Sequence, residues 1–524
     1  MEIATQSDFQ VDFFLLSLEG MEAYEPFPSV GTGGASSMKI LYVTPEATPF
    51  AKTGGLADVA GSLPRALRQF GHDVRVIMPY HRSVRHSGVS LRKGRKSVEV
   101  TLDGTAYRGS LKQTSHAGVP FWFIDCPEFF DREPLYGTAD GDYADNSLRF
   151  GFFCRAVLEM IKRLDFPPDI IHINDWQTSF IPALLRTELR HNPFYSSIAT
   201  LLTIHNLGYQ GTFPLDSLNK LGLDKSLGTE RGMEYFGNIS ALKGGINYSD
   251  VINTVSPTYC EEIQQPEQGH GFDGILRERK KDLHGIINGL DCHSWDPALD
   301  TAIPTAFNSE NLNGKRACKR LLQQELGLEL RHDVPIVSLV SRLDRQKGIN
   351  LVENAWDRLM TRDVQFVLLG SGNQESMAFW ESQANKYPGK ISINLGFDEK
   401  LSRRVYAASD LLLVPSLYEP CGLTQMIALA YGALPVVRNT GGLSDTVIDV
   451  TKQPRQGYGF VFDKFDSDEL LSSIDRALDI YPHRSRWLTL VKRGMTQNFS
   501  WVKSAEHYHD LYTKARNYRQ MPAA

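Results

Sequence analysis

From residue 39 onward the chain alternates short apolar runs with amphipathic stretches. Lys39-Ile-Leu-Tyr-Val43 predicts a strand, the stretch at about 56–70 a helix that ends at Gly71, and Asp73-Val-Arg-Val-Ile-Met78 the next strand. More strands are predicted at 169–173, 199–204 and 250–255, and a helix over 147–164. A second series begins near 334, with strands at 335–341, 365–369, 390–395, 411–415 and 434–438 and helices at about 348–360, 402–408 and 423–432. Such alternation predicts an α/β fold with mostly parallel sheets. The expected architecture is two doubly wound, Rossmann-like domains, 38–288 and 289–498, with 289–333 as hinge and entry segment. The active site is expected in a cleft between them, at the carboxyl ends of strands. Residues 1–37 show no period, end in a Gly/Ser-rich run and are expected to be an extension.

Composition narrows the class. Of 524 residues, 42% are hydrophobic, 22% charged and 10% aromatic, which excludes a disordered chain, a collagen and a disulfide miniprotein. The net charge of −5 gives no basic excess, so neither nucleic acid nor an anionic membrane is an expected partner and any anion site must be local. Six cysteines without a C-x-x-C pair fit a reducing compartment. No apolar run reaches the ~18 residues of a membrane span. Residues 1–38 lack Lys and Arg and so resemble neither a signal nor a transit peptide. A cytoplasmic location is expected.

Several polar groups follow predicted strands, where side chains face a ligand. Lys52-Thr-Gly-Gly-Leu56 offers open backbone N–H groups and a mobile cation, or is an ordinary turn. Asp175 and His205-Asn206 close two strands, as ligand groups or as structural hydrogen-bonders. Arg342 and Lys347, five residues apart, can clamp a diphosphate, or Asp344 pairs with an arginine in a solvated turn. Glu419-Pro-Cys-Gly-Leu423 opens a helix, and its carboxylate is a ligand group or a cap. Thr440-Gly-Gly-Leu-Ser-Asp445 echoes Thr53-Gly-Gly-Leu-Ala-Asp58. The matches Asp140-Gly-Asp142 and Asp466-Ser-Asp468 have the form of a metal-holding pair but lie in poor contexts, so no metal site and no cofactor is expected.

Taken in order, Lys52-Thr-Gly-Gly-Leu, Asp175-Trp, His205-Asn-Leu-Gly-Tyr-Gln-Gly211, Ile287-Asn-Gly-Leu-Asp291, Ser341-Arg-Leu-Asp-Arg-Gln-Lys-Gly348, Glu419-Pro-Cys-Gly-Leu-Thr-Gln425 and Thr440-Gly-Gly-Leu443 closely resemble bacterial glycogen synthases and plant starch synthases. The likeness runs from about Met38 to Phe499-Ser-Trp-Val-Lys-Ser-Ala505. It implies a GT-B fold whose last helix, 499–524, returns to the first domain. It implies ADP-glucose as donor and the non-reducing end of an α-1,4-glucan as acceptor. By the same carry-over, Lys52, Thr53, Gly54 and Gly55 form a donor and phosphate loop, Arg342 and Lys347 bind the diphosphate, and His205 and Glu419 face the glucosyl unit. Asp58, Asp175, Asn206 and Asn288 lie near the sugar or acceptor. Phe397 lies near the adenine, and Cys421, Gly422, Leu423, Thr440, Gly441 and Gly442 line the donor. Ile427 stands where many related retaining transferases have a second Glu, which the glycogen synthase family also lacks.

Donor and product are both α-linked, so configuration is retained. Without a second cleft carboxylate to pair with Glu419, the expected course is front-face displacement, with the acceptor proton passing to the leaving diphosphate. A UDP-glucose transferase is the nearest rival. A dinucleotide oxidoreductase would need G-x-G-x-x-G after the first strand, and a non-catalytic glucan-binding module would not need the two cations together with the glycine loops.

Overall fold

Strands that are buried on both faces need no polar alternation, which is why they read as apolar runs. In a computed structural model, which describes residues 37–138 and 141–520, those runs fold into two units. One unit holds the chain up to Asn253, Gly274–Leu283 and everything from Ala505. The other holds Thr254–Asp273 and His284–Ser504. Apart from Ser37, the extension expected at 1–37 lies outside the described residues.

The second unit is built on six strands in the order Ile391–Leu395, Gln365–Gly370, Ile336–Val340, Leu411–Val414, Leu434–Arg438, Phe460–Phe462, every pairing parallel. Numbered along the chain this is 3-2-1-4-5-6, the doubly wound order. Side chains alternate between two cores. Leu411 and Leu413 join Trp356 and Trp380 on one face, while Leu412 and Val414 join Met426 and Tyr431 on the other. The helix Asn313–Glu325, inside the stretch expected as hinge, packs into this unit through Lys315 and Lys319. The Lys315 ammonium donates to the carbonyls of Ala407, Ser409 and Tyr431 at 2.8–3.1 Å.

The first unit carries a nine-stranded sheet among the described residues. Its order is Leu283–Gly285, Val251–Thr254, Ala199–Ile204, Ile170–Asn174, Lys39–Val43, Asp73–Pro79, Val119–Asp125, Thr105–His116, Arg92–Leu102. Pairing is parallel from Ala199–Ile204 to Val119–Asp125 and antiparallel from there to the edge. That antiparallel edge escapes an apolar-run reading because its outermost strand, Arg-Lys-Gly-Arg-Lys-Ser-Val-Glu-Val-Thr-Leu, is half exposed. A small three-stranded sheet, Thr212–Pro214, Asn238–Ser240 and Glu234–Tyr235, follows the central strands. No helix among the described residues is long and apolar enough to cross a membrane.

The chain first changes unit after Asn253, not at the expected 288, and the reason is local. Helix Pro257–Glu262 is pinned to the short helix Gly441–Thr446: Thr258 donates its N–H and hydroxyl to Asp445 at 3.0 and 2.7 Å, and Glu262 accepts from Thr440 Oγ1 and Gly441 N at 3.0 and 3.1 Å. The closing helix, Trp501–Gln520, belongs to the first unit from Ala505. There Tyr508 and Tyr512 are buried. Tyr512 OH lies 2.8 Å from His172 Nδ1, whose Nε2 lies 2.6 Å from Thr203 Oγ1. Burial holds His172 well below the usual histidine range, so it stays neutral.

Tyr512→Phe removes one partner of this buried imidazole and is expected to cost about 1–2 kcal/mol. Urea titration followed by tryptophan fluorescence measures it, and a lower midpoint with an unchanged slope is the expected outcome.

Candidate active site

In a doubly wound sheet, the loops after two strands that run in opposite directions of winding splay apart and open a crevice. In the second unit that point lies between Ile336–Val340 and Leu411–Val414. The loops that follow are 341–348 and 415–423, which carry Arg342, Lys347 and Glu419. Gly348 joins them, because at φ 70° it sits where a Cβ would strike the Pro415 carbonyl. The Leu417 N–H donates to the Gln346 carbonyl at 2.8 Å. This contact brings Lys347 Nζ to both Glu419 oxygens, at 2.7 and 3.0 Å, while Ser416 Oγ donates to the same carboxylate at 2.8 Å. Two of the three ammonium donors are thereby used. Arg342 is half exposed, 3.1 Å from both Asp344 and Gln346. The carboxylate partner considered for it in the sequence is therefore present.

The first unit repeats the arrangement. Its switch point lies between Lys39–Val43 and Ile170–Asn174, followed by the loop 44–54 and by Asp175. Glu46, which the sequence did not single out, is buried under the first glycine loop. Its carboxylate accepts from Thr53 N and Oγ1 at 2.9 and 2.6 Å and from the Tyr136 hydroxyl. Burial raises it to about 7 against these hydrogen bonds. Asp175 is likewise raised to about 7, first by burial, although the backbone N–H groups of His205 and Asn206 donate to it. It holds φ 54°, a strained value for a residue with a Cβ. His205 Nε2 lies 2.9 Å from Asn174 Oδ1, and burial lowers the ring to about 3. His205 is therefore a neutral hydrogen-bonding group at physiological pH and carries no positive charge.

The two Thr-Gly-Gly-Leu loops differ physically. At Gly54 and Gly55 an added Cβ would meet nothing within 4 Å, and the loop is exposed, so nothing in the protein itself demands glycine there. Lys52 rests on Asp58 at 2.7 Å. At Gly441 and Gly442 a Cβ would strike the backbone of Glu419 and Cys421. The Gly441 N–H is committed to Glu262, as is the Thr440 hydroxyl. In this structure, then, two of the donor groups expected to line the donor, the Thr440 hydroxyl and the Gly441 N–H, are engaged by Glu262. The second loop buttresses the Glu419–Cys421 backbone and fixes helix Pro257–Glu262.

The remaining expected positions divide between the units. Cys421 is buried, and burial pushes its thiol up to about 12. Asn288 hydrogen-bonds to it and so belongs with the second unit's residues, not with His205. Gly422, at φ 75°, and Leu423 lead into helix Thr424–Ala430. Phe397 is 64% exposed after strand Ile391–Leu395. Asn206 Oδ1 accepts the Gly208 N–H at 2.9 Å, a turn-forming bond. Asp466 caps a helix, Asp468 pairs with Arg358, and Asp140 lies outside the described residues. Among the described residues no three His, Cys, Asp or Glu side chains group as a metal site would require.

Residues 39–278 match the starch synthase catalytic domain, and residues 325–489 match glycosyl transferases group 1. The chain is 50% identical over 478 residues to the glycogen synthase of Syntrophotalea carbinolica, covering 91% of this chain and 99% of that protein. It is 48% identical over 483 residues to glycogen synthase 2 of Geobacter sulfurreducens, covering 92% and 100%. The solved catalytic domain of starch synthase IV from Arabidopsis thaliana, bound to ADP and acarbose, matches with a TM-score of 0.87 at 36% identity, over 92% of this chain and 100% of that one. Sucrose-phosphate synthase from Thermosynechococcus elongatus shares the fold alone, with a TM-score of 0.56 at 18% identity over 91% and 98% of the two chains. The fold is GT-B, and the chain belongs to the glycogen synthase and starch synthase family of glycosyltransferases.

Glu46 and Asp175 bind their protons more tightly folded than unfolded. Their contribution to stability is full below about pH 4 and declines as pH rises through about 7, by on the order of 3 kcal/mol for each group. Glu46→Gln is expected to reduce the loss of stability between pH 5 and 8, measured by denaturant titration at both values. An undiminished loss in the variant contradicts the assignment.

Proposed function

We propose that the protein is a glucan synthase: it transfers glucose from ADP-glucose to the non-reducing end of an α-1,4-glucan, with retention of configuration. The observation that carries this reading is the meeting of Lys347 and Glu419 at the second unit's switch point, with Arg342 on the same loop as Lys347. It joins cationic groups suited to a leaving diphosphate to a carboxylate suited to a sugar that gains positive charge. The family membership of the chain supports the same chemistry.

In this mechanism Arg342 and the remaining Lys347 N–H take up the charge that develops on the diphosphate as the glycosidic bond breaks. Glu419, held by Lys347 and Ser416, keeps a fixed position beside the sugar. Its neighbours are donors, not a second carboxylate poised as nucleophile, which favours front-face displacement over a covalent intermediate. The acceptor hydroxyl's proton passes to the departing diphosphate oxygen. Neutral His205 and the buried Asp175 give the first unit's hydrogen bonds to sugar hydroxyls. The open Lys52–Gly55 loop lets backbone approach the donor. We infer a cytoplasmic location, and the six free cysteines accord with a reducing compartment.

Incorporation of radiolabelled glucose into glycogen from ADP-glucose, compared with UDP-glucose, tests the reading. Preferential incorporation from ADP-glucose is expected, and incorporation from UDP-glucose alone overturns the donor assignment. Lys347→Ala is expected to lower kcat about a hundredfold, the loss of a transition-state stabiliser worth on the order of 3 kcal/mol, with far less change in glucan affinity. Activity is expected to survive EDTA, and loss that is restored by Mg²⁺ or Mn²⁺ would contradict the metal-free mechanism.

A further inference from the structure

The small sheet of the first unit ends in a hairpin whose turn is Phe236-Gly237, between strands Glu234–Tyr235 and Asn238–Ser240. Both turn residues have positive φ, 49° and 79°. A two-residue hairpin of that kind is ordinarily Asn-Gly or Asp-Gly, because those side chains tolerate the left-handed region. A phenylalanine there is strained, and its ring is 80% exposed, so neither local conformation nor burial accounts for it. Nor is the tip loose. The Gly237 N–H donates to Glu234 Oε1 at 2.8 Å, and Lys243 Nζ donates to the Glu234 carbonyl at 2.6 Å. Tyr235 meets the ring steeply, at 73° with centroids 4.7 Å apart.

The hairpin continues the loop that carries His205 and Asn206. The Gln210 carbonyl accepts from Ser240 Oγ and Leu242 N at 2.8 and 3.1 Å, and the Gly211 carbonyl accepts from Ala241 N at 2.9 Å. Strand Thr212–Pro214 then pairs with Asn238–Ser240. Tyr209 and Leu215, at either end of this run, are 53% and 44% exposed. Along this run the exposed apolar residues are interspersed with polar Thr212 and Asn238, a mixed apolar and hydrogen-bonding composition.

We propose that Phe236 is a stacking platform for an α-glucan chain, a binding surface on the first unit additional to the site of transfer. The inference rests on the glucan-synthase reading. A glucose ring presents C–H groups on one face and hydroxyls around its edge, which matches an exposed aromatic face beside amide and hydroxyl groups. A ring that holds one sugar weakly gains its effect with a polymer, because each added contact is made by a chain already bound.

The test compares the full chain with Phe236→Asn, which suits the turn and removes the ring, and with Phe236→Tyr, which keeps an aromatic face. Turnover of wild type with ADP-glucose and maltotriose is measured first, and its absence defeats the functional reading itself. With turnover present, the ratio of kcat/KM for glycogen to that for maltotriose is expected to fall at least about fivefold in Phe236→Asn and to be kept in Phe236→Tyr. Retardation of the protein in native gels containing glycogen is expected to weaken in parallel. An unchanged ratio and unchanged retardation overturn the platform. An equal fall on both acceptors also overturns it. So does a change in mass by light scattering without a change in glycogen retardation, since the surface would then join copies of the chain.

Discussion

A carboxylate withdrawn from water must be met by donors or give up its charge, and the candidate site residues of the two units resolve this differently. Glu419 is met by a cation and a hydroxyl, Lys347 and Ser416. Glu46 and Asp175 are met by hydroxyl and backbone N–H groups, which offset burial only in part, and their affinity for a proton rises. The first solution holds a carboxylate against an ammonium group, the pairing that the proposed transfer uses. The second lowers the charge of a hydrogen-bonding cluster, which suits sugar hydroxyls. His205, buried and neutral, belongs to the same cluster.

Both solutions depend on topology before they depend on side chains. Each sheet reverses its winding between its first strand and a strand distant in sequence, 39–43 with 170–174 and 336–340 with 411–414. The residues after those strands become neighbours, and packing at Gly348 closes the second unit's pair to hydrogen-bond range. A larger residue at 348 would push the Lys347 loop away from Pro415, with no polar contact altered directly.

The strands were legible in the sequence because burial on both faces leaves them apolar; two doubly wound domains followed from their alternation with helices, and the GT-B fold from the family resemblance. Strand order was not legible, so neither was the pairing of Lys347 with Glu419, although both residues stood out by position. Glu46 and Tyr136 carried no signal: one is a lone acid after a strand, the other a tyrosine ninety residues later whose approach only the folded chain reveals. The Thr-Gly-Gly-Leu echo hid a difference for a similar reason. One sequence pattern serves an open loop in the first unit and close backbone packing in the second, and spacing alone cannot separate them.

Retaining transfer through a diphosphate leaving group is the central claim, and proton NMR of the reaction tests it most directly. With ADP-glucose labelled with carbon-13 at the anomeric carbon and a maltooligosaccharide acceptor, the label is predicted to appear in an α-1,4-linked anomeric signal from the first turnover. A β-linked signal, or label recovered only as free glucose in the presence of acceptor, would contradict the account.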